Sequence, residues 1–194
     1  MREFIYFSQK ARTSGNWGKE NDLMKAGRMD IVCNVIIQGL FLSNKLREDV
    51  RLHLIFNGAP NPPMHLEFDS SELNRGTISK KDIGGLIKRM LYKCKEGVKT
   101  EVFPGCFIEK KSFQKLLKEF GDEGKKICIL DSKGESIREV DLNNCVFVIG
   151  DHEGLPLKEV KRFDKINIGP ETYFASQVFV IVNNELDLRE DFKN

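Results

Sequence analysis

The chain is sparing in the residues that announce most chemistries. Its 194 residues include three histidines, one tryptophan and five cysteines. No two cysteines stand as Cys-x-x-Cys, which excludes a zinc ribbon or a thioredoxin-like redox pair, and no metal is expected. An odd cysteine count is no disulfide framework either. Cys33, Cys128 and Cys145 lie in or beside apolar runs and read as small buried hydrophobes. No apolar run approaches the ~20 residues of a membrane span, so no membrane partner is expected. Met1-Arg-Glu-Phe carries no export-type apolar segment, and with reduced cysteines this points to the cytoplasm. Walker, His-Glu-x-x-His, Gly-x-Ser-x-Gly and Gly-x-Gly-x-x-Gly motifs are all missing. The usual signatures of P-loop, zincin, hydrolase and Rossmann dinucleotide chemistry are therefore absent.

A strong excess of one charge is missing too: the net charge is +2. Its distribution is uneven, because the section from Ile78 to Lys118 holds eleven Lys or Arg against four acids. Clustered cations favour a phosphate backbone by releasing its counterions, although the same lysines also suit the solvated faces of two helices. What is present suits one compact domain over residues 1–194, at 40% hydrophobic and 31% charged.

The pattern predicts a first strand from Arg2 to Ser8, then an aperiodic loop over 9–28 bearing Arg12 and Trp17. A loop of that length is usually functional, and Trp17 either stacks on a base or tucks onto the core. Met29 to Ser43 reads as a buried helix with Asp30 in its first turn, where the helix dipole favours a carboxylate. Val50–Phe56 and Met64–Phe68 alternate as an antiparallel pair across Asn57-Gly58 and a proline-rich connector. A helix begins at Ser79, whose spacing to Asp82 resembles a capping box. An extended Val102-Phe103 and a Pro104-Gly105 turn lead to a helix over 112–120, with Gly121 as its stop. Strands at 126–130, 145–149 and 165–168 follow, with a turn at Lys133-Gly134. An amphipathic run closes the pattern, with Phe174, Val178, Ile181, Val182 and Leu188 on one stripe. Alternating strands and helices give an α/β fold with a largely parallel sheet and helices on both faces. His53 and His65 fall in strands and read as structural; His152 falls in a loop.

Two loops stand out. Val146 to Pro156 is an apolar run that breaks at Gly150 into a polar loop with Gly154. Ile166 to Ser176 is a second run that breaks at Gly169-Pro170 before the last helix. Strands ending in glycine turns place main-chain groups at the carboxyl edge of a sheet, where nucleotide-like ligands sit.

Ile149-Gly-Asp-His-Glu-Gly154 and Ile168-Gly-Pro-Glu-Thr-Tyr173 resemble the cofactor loops of SPOUT methyltransferases. With Met1-Arg-Glu-Phe-Ile, Gly27-Arg-Met-Asp30, Asn57-Gly-Ala-Pro-Asn-Pro-Pro63, Pro104-Gly105 and Asn183-Asn-Glu-Leu-Asp187, the whole chain resembles the archaeal tRNA pseudouridine N1-methyltransferase family. That resemblance implies a C-terminal trefoil knot over 126–194, a homodimer, S-adenosyl-L-methionine as cofactor and the T-loop of tRNA (position 54) as substrate. The implied cofactor contacts are Leu130, Gly150, Gly154, Ile168, Gly169, Pro170, Glu171, Thr172, Tyr173 and Val178. Asp30 and Arg28 are the catalytic candidates, with Asp151 and Glu153 as alternatives. Arg12, Asn57 and Asp151 are candidates for the RNA. The chain departs from the family where a Cys is common, at Val178, and where a neighbouring His is common, at Gln177. A main-chain contact survives those changes and a thiol role does not. This leaves open a SPOUT-fold protein that binds RNA or cofactor without methylating, or one acting on a ribosomal RNA pseudouridine.

Overall fold

A computed structural model describes residues 1–18, 22–73 and 79–191. Residues 19–21 of the long loop, and Ile78 at the start of the basic section, lie outside the described residues. The elements in order are β1 (Arg2–Ser8), α1 (Met29–Leu40), β2 (Val50–Phe56), β3 (Met64–Asp69), α2 (Lys80–Lys93), β4 (Thr100–Phe103) and β5 (Cys106–Glu109). There follow α3 (Phe113–Asp122), β6 (Lys126–Ser136), β7 (Cys145–Gly150), α4 (Leu157–Val160), β8 (Asp164–Asn167) and α5 (Ala175–Asp191).

Among the described residues the strands form one eight-stranded sheet, ordered β4-β5-β3-β2-β1-β7-β6-β8. The β2–β1–β7–β6–β8 half is parallel and the β2–β3–β5–β4 half antiparallel. β1 is central, and all seven of its residues are buried, as its unbroken apolar run requires of a strand covered on both faces. Phe4 and Tyr6 point to a core shared with α1, α2 and α5, while Ile5 and Phe7 point to a second core under α3 and α4.

Local chemistry explains where the elements begin and end. Ser79 caps α2: its Oγ accepts the Asp82 N–H at 3.1 Å and donates back to the Asp82 carboxylate at 2.5 Å. The helix of α1 stops at Leu40 rather than Ser43, because Phe41 turns extended and pairs with Leu46. In α3 the stop is Gly124 at φ 73°, not Gly121, and the helix runs through Gly121 to Asp122. β5 was not foreseen; it is a four-residue strand in which only Cys106 and Ile108 are buried, too short to show a period. The expected Lys133-Gly134 turn is instead part of β6, which slips register after Leu130 and continues to Ser136. A Cβ on Gly134 would lie 2.4 Å from the Ile166 nitrogen, so β6 and β8 cross here at a distance only glycine permits.

One expectation about apolar residues is corrected. In α5 the buried stripe is Val178, Phe179, Val182 and Asn183, whereas Phe174 precedes the helix and is 78% exposed, and Leu188 is 46% exposed. Phe179 was overlooked, yet it fills the space left by Gly39 of α1, where a Cβ would sit 3.2 Å from its ring. Of the two places open to Trp17, the structure shows the second, tucked onto the core.

Candidate active site at the carboxyl ends of the parallel strands

β6 at its register slip after Leu130, and β7 at its carboxyl end, open into a cleft of ≈ 1270 Å³. Its apolar floor includes Ile129, Leu130, Ile149, Leu155, Val160 and Val178. The loop after β7 closes one side. There Gly154 adopts φ 80° and donates its N–H to the Asp151 carbonyl at 2.9 Å. A Cβ on Gly150 would meet the Gly154 carbonyl carbon at 2.8 Å, so the loop folds back over a bare main chain. A Cβ on Gly154 would meet nothing within 4 Å, which leaves that peptide open to the cleft.

Asp151 is the keystone of this loop. It is 9% exposed. One of its oxygens accepts Ser8 Oγ–H at 2.8 Å and the Gln9 N–H at 2.9 Å, and the other accepts the Glu153 N–H at 2.8 Å. Ser8 is the last residue of β1, so the carboxylate ties the loop to the central strand. His152 and Glu153 line the cleft at its rim, 3.4 Å apart, and Lys10 bonds Glu153 from outside.

The other wall is the start of α1. Gly27 and Arg28 both take left-handed conformations, at φ 71° and 63°. Gly27 has no alternative, because a Cβ would fall 1.7 Å from the Lys10 carbonyl oxygen. The turn aims Arg28 back at its own helix, where Nε and Nη2 each donate to Asp30 at 3.0 Å. That two-point grip holds the Asp30 carboxyl below the usual carboxylate range, partial burial notwithstanding. Arg28, Asp30, Ile31 and Asn34 all line the cleft. Tyr6 lies buried beneath, its hydroxyl pushed up by burial and then by the nearby Asp151 and Asp30 charges.

The structure brings most of the expected residues to this one cleft: Arg28, Asp30, Leu130, Gly150, Asp151, Gly154, Thr172, Tyr173 and Val178. It sets others apart. Ile168 lines a separate cavity beside Ile137, Phe147 and Ile181. Gly169 packs against Tyr173, where a Cβ would meet the ring hydroxyl at 2.9 Å, and Pro170 and Glu171 are exposed. Arg12 and Asn57 stand on neighbouring loops of the same sheet edge. Arg12 donates its N–H to the Ala26 carbonyl at 3.3 Å, and Asn57 Nδ2 donates to Gln9 Oε1 at 3.4 Å. Sequence reading missed Ser8 as the anchor of Asp151, and the ion pair of Lys165 with Asp131 at 2.7 Å on the cleft wall. Asp131 follows the last apolar residue of its strand run, and that position was the available signal.

Comparison with known proteins agrees with this geometry. Residues 1–191 match the family described as "Putative SAM-dependent RNA methyltransferase". The chain is 38% identical over 194 residues to the tRNA (pseudouridine(54)-N(1))-methyltransferase of Methanococcoides burtonii, covering 96% of each chain. To the protein of the same name from Methanocaldococcus jannaschii it is 32% identical over 198 residues, covering 96% of this chain and 97% of that one. In fold it is similar to Archaeoglobus fulgidus Nep1, whose crystal structure holds S-adenosylhomocysteine: the TM-score is 0.67 at 12% identity, over 98% and 99% of the two chains. The sheet is thus an α/β sheet of the SPOUT kind, and the chain belongs to this SAM-dependent RNA methyltransferase family.

Proposed function

We propose that the chain is an S-adenosyl-L-methionine-dependent methyltransferase that methylates N1 of pseudouridine 54 in the T-loop of tRNA. One observation carries the reading: the Arg28–Asp30 pair opens onto the same cleft as the Gly150–Gly154 loop and Val178. At ≈ 1270 Å³ the cleft exceeds the roughly 300–1,000 Å³ of a site for one small ligand. It therefore has room for a cofactor and an extruded base together. The apolar floor and the exposed main chain at Gly154 fit an adenosine, and Val178 contributes only bulk and main chain, so the family's Cys is not needed for binding. When bound, the cofactor supplies an activated methyl group on its sulfonium.

The residues of the chain have the remaining tasks. Cleft walls hold N1 in line with the methyl group, the positioning that accounts for much of such a reaction. Asp30 accepts the N1–H hydrogen bond and takes up the proton as it leaves, for release to water. Arg28 offsets the negative charge that builds on the base as the proton leaves. Arg12 and Asn57 face the phosphates; the lysines of the basic section divide between α2 on one face of the sheet and α3 on the other, and those of α2 extend the RNA surface.

Two further parts of the reading belong here. Of segment 126–194, residues 192–194 lie outside the described residues; 126–191 forms the family's knotted half, and two chains pair through α5, whose outward Val180 and Leu188 are 45% and 46% exposed. The enzyme works in the cytoplasm, a location its five free cysteines suit. Among the described residues no helix is long and apolar enough to cross a membrane.

The test is methyl transfer from labelled S-adenosylmethionine to two T-loop hairpins that differ only in uridine or pseudouridine at the target. Label in the pseudouridine hairpin alone is expected, and Asp30→Asn should cut turnover by tenfold or more with cofactor affinity nearly unchanged. Label in neither hairpin, with cofactor bound, would overturn the assignment.

A further inference from the structure

The face of the sheet under α3 carries a buried polar chain that the cleft does not use. Glu3, His53, His65 and Glu109 sit on four adjacent strands, β1, β2, β3 and β5. Glu3 Oε2 lies 3.0 Å from His53 Nε2, His53 Nδ1 lies 2.9 Å from His65 Nε2, and His65 Nδ1 lies 3.0 Å from Glu109 Oε1. The imidazole rings are within 14° of coplanar with centroids 5.2 Å apart. That separation is the N···N distance plus a ring radius at each end, so the two ring nitrogens face each other edge to edge.

Each imidazole that gives its N–H to a flanking carboxylate turns a lone pair toward the other ring. Two lone pairs at hydrogen-bond distance require a cation between them, and a single shared proton fills that place. A third ligand stands beside it. Glu67 Oε2 is 3.6 Å from His53 Nδ1, and the ligand atoms of His53, His65 and Glu67 all lie within 4.8 Å of one another. Lys99 Nζ holds Glu67 Oε2 at 2.7 Å, and its side chain is 42% exposed.

We propose that His53, His65 and Glu67 form a zinc site, in which one Zn²⁺ replaces the proton between the imidazoles and the Lys99 ammonium on Glu67. The exchange leaves the local charge unchanged, since two monovalent cations give way to one divalent ion. Tetrahedral Zn²⁺ with bonds of about 2.0–2.2 Å needs ligand atoms about 3.3–3.5 Å apart. The observed 2.9 and 3.6 Å bracket that spacing and all three ligand atoms lie within 4.8 Å of one another, so the metal asks each imidazole to tilt until its lone pair converges with the other and with Glu67 on one point. The outer shell is already built: Glu3 and Glu109 accept the far N–H of each imidazole, the arrangement that orients metal-ligating histidines. Two imidazoles favour zinc over magnesium or calcium. Lys99 is the gate, and its long stem can carry the ammonium into water. Sequence spacing hid the site, because His53 and His65 come together only through the β2–β3 pairing, where Ile55 stands opposite His65.

The test uses the full, untagged chain, freed of metal by a chelator and titrated with Co²⁺ and then Zn²⁺. The expected result is one Co²⁺ per chain with tetrahedral absorption bands that Zn²⁺ abolishes, and about one proton released per ion. Glu67→Gln should weaken binding at least tenfold. Lys99→Gln should tighten it by about as much by removing the competing charge, with thermal unfolding checking that the fold is kept. Absence of saturable binding to the wild type would overturn the proposal, and so would binding that neither substitution alters.

Discussion

Asp151→Ala separates a loop keystone from an RNA contact. The carboxylate takes three hydrogen bonds, from Ser8 Oγ, Gln9 N and Glu153 N, at 2.8, 2.9 and 2.8 Å. Bonds to a charged acceptor contribute about 1.5–3 kcal/mol each where the donors are buried. Only Ser8 is fully buried, and its hydroxyl keeps the Ala11 N–H as a donor at 3.1 Å. The two main-chain donors lie nearer water, so the sum is discounted to about 3 kcal/mol. For a domain of this size each kcal/mol lowers the midpoint by about 2–4 °C, which gives a drop of roughly 6–12 °C. Any share of that energy that frees the loop before global unfolding is lost from cofactor binding, at about tenfold for each 1.4 kcal/mol. Thermal unfolding and calorimetric titration with S-adenosylmethionine read both effects. Glu153→Ala, which removes an exposed partner of Lys10 and His152 and leaves the main-chain N–H on Asp151, serves as control for the midpoint and should change it little. An Asp151→Ala protein with unchanged midpoint and cofactor affinity but no methyl transfer would refute the reasoning, and would place the carboxylate against the RNA.

Two further substitutions probe the walls. Gly27→Ala forces a Cβ to 1.7 Å from the Lys10 carbonyl at φ 71°, so the start of α1 must move; a loss of about 3 kcal/mol or more in denaturant unfolding is expected, and wild-type stability would contradict the contact. Asp187 reports on pH. Burial pushes its carboxyl up, and the bonds from Arg47 and Arg2 more than offset this and hold it below the usual range. Its contribution is therefore complete above the unfolded carboxylate pKa of about 4 and is lost as pH falls through the lower folded value. The stability gap between wild type and Asp187→Asn should close with acidification; a gap independent of pH would refute the pairing.

The legible parts of the fold were those where one residue type has one physical use. The apolar runs of β1 and β7 read as strands, and the structure buries both on both faces of the sheet, as such runs require. Ser79 read as a cap because the spacing to Asp82 fits a single local geometry. Both walls of the cleft were legible in Gly27–Asp30 and Gly150–Gly154. What stayed hidden depends on partners distant in sequence: Ser8 under Asp151, Phe179 against Gly39, and His53 beside His65. The second loop was legible as a turn but not in its detail. Thr172 and Tyr173 reach the cleft while Ile168 faces another cavity, because the chain turns at Gly169 and no period marks which residues it carries inward.

The placing of β1 bears on how the chain comes off the ribosome. β1 is made before the other strands of the sheet, yet one of its edges is completed only when β7 arrives, with Glu3 opposite Val146. Until then Ile5 and Phe7 lack Val146 and Val148 as neighbours in their core, and the unpaired edge remains a template for strands of other chains. The salt links from Arg2 to Asp187 and Glu190 form later still, once α5 has emerged. Such long-range closure makes folding slow and concentrates it at the end of synthesis. Nascent chains halted before residue 145 should therefore be captured by chaperones, and release should follow the appearance of β7 and α5 rather than growth in length alone.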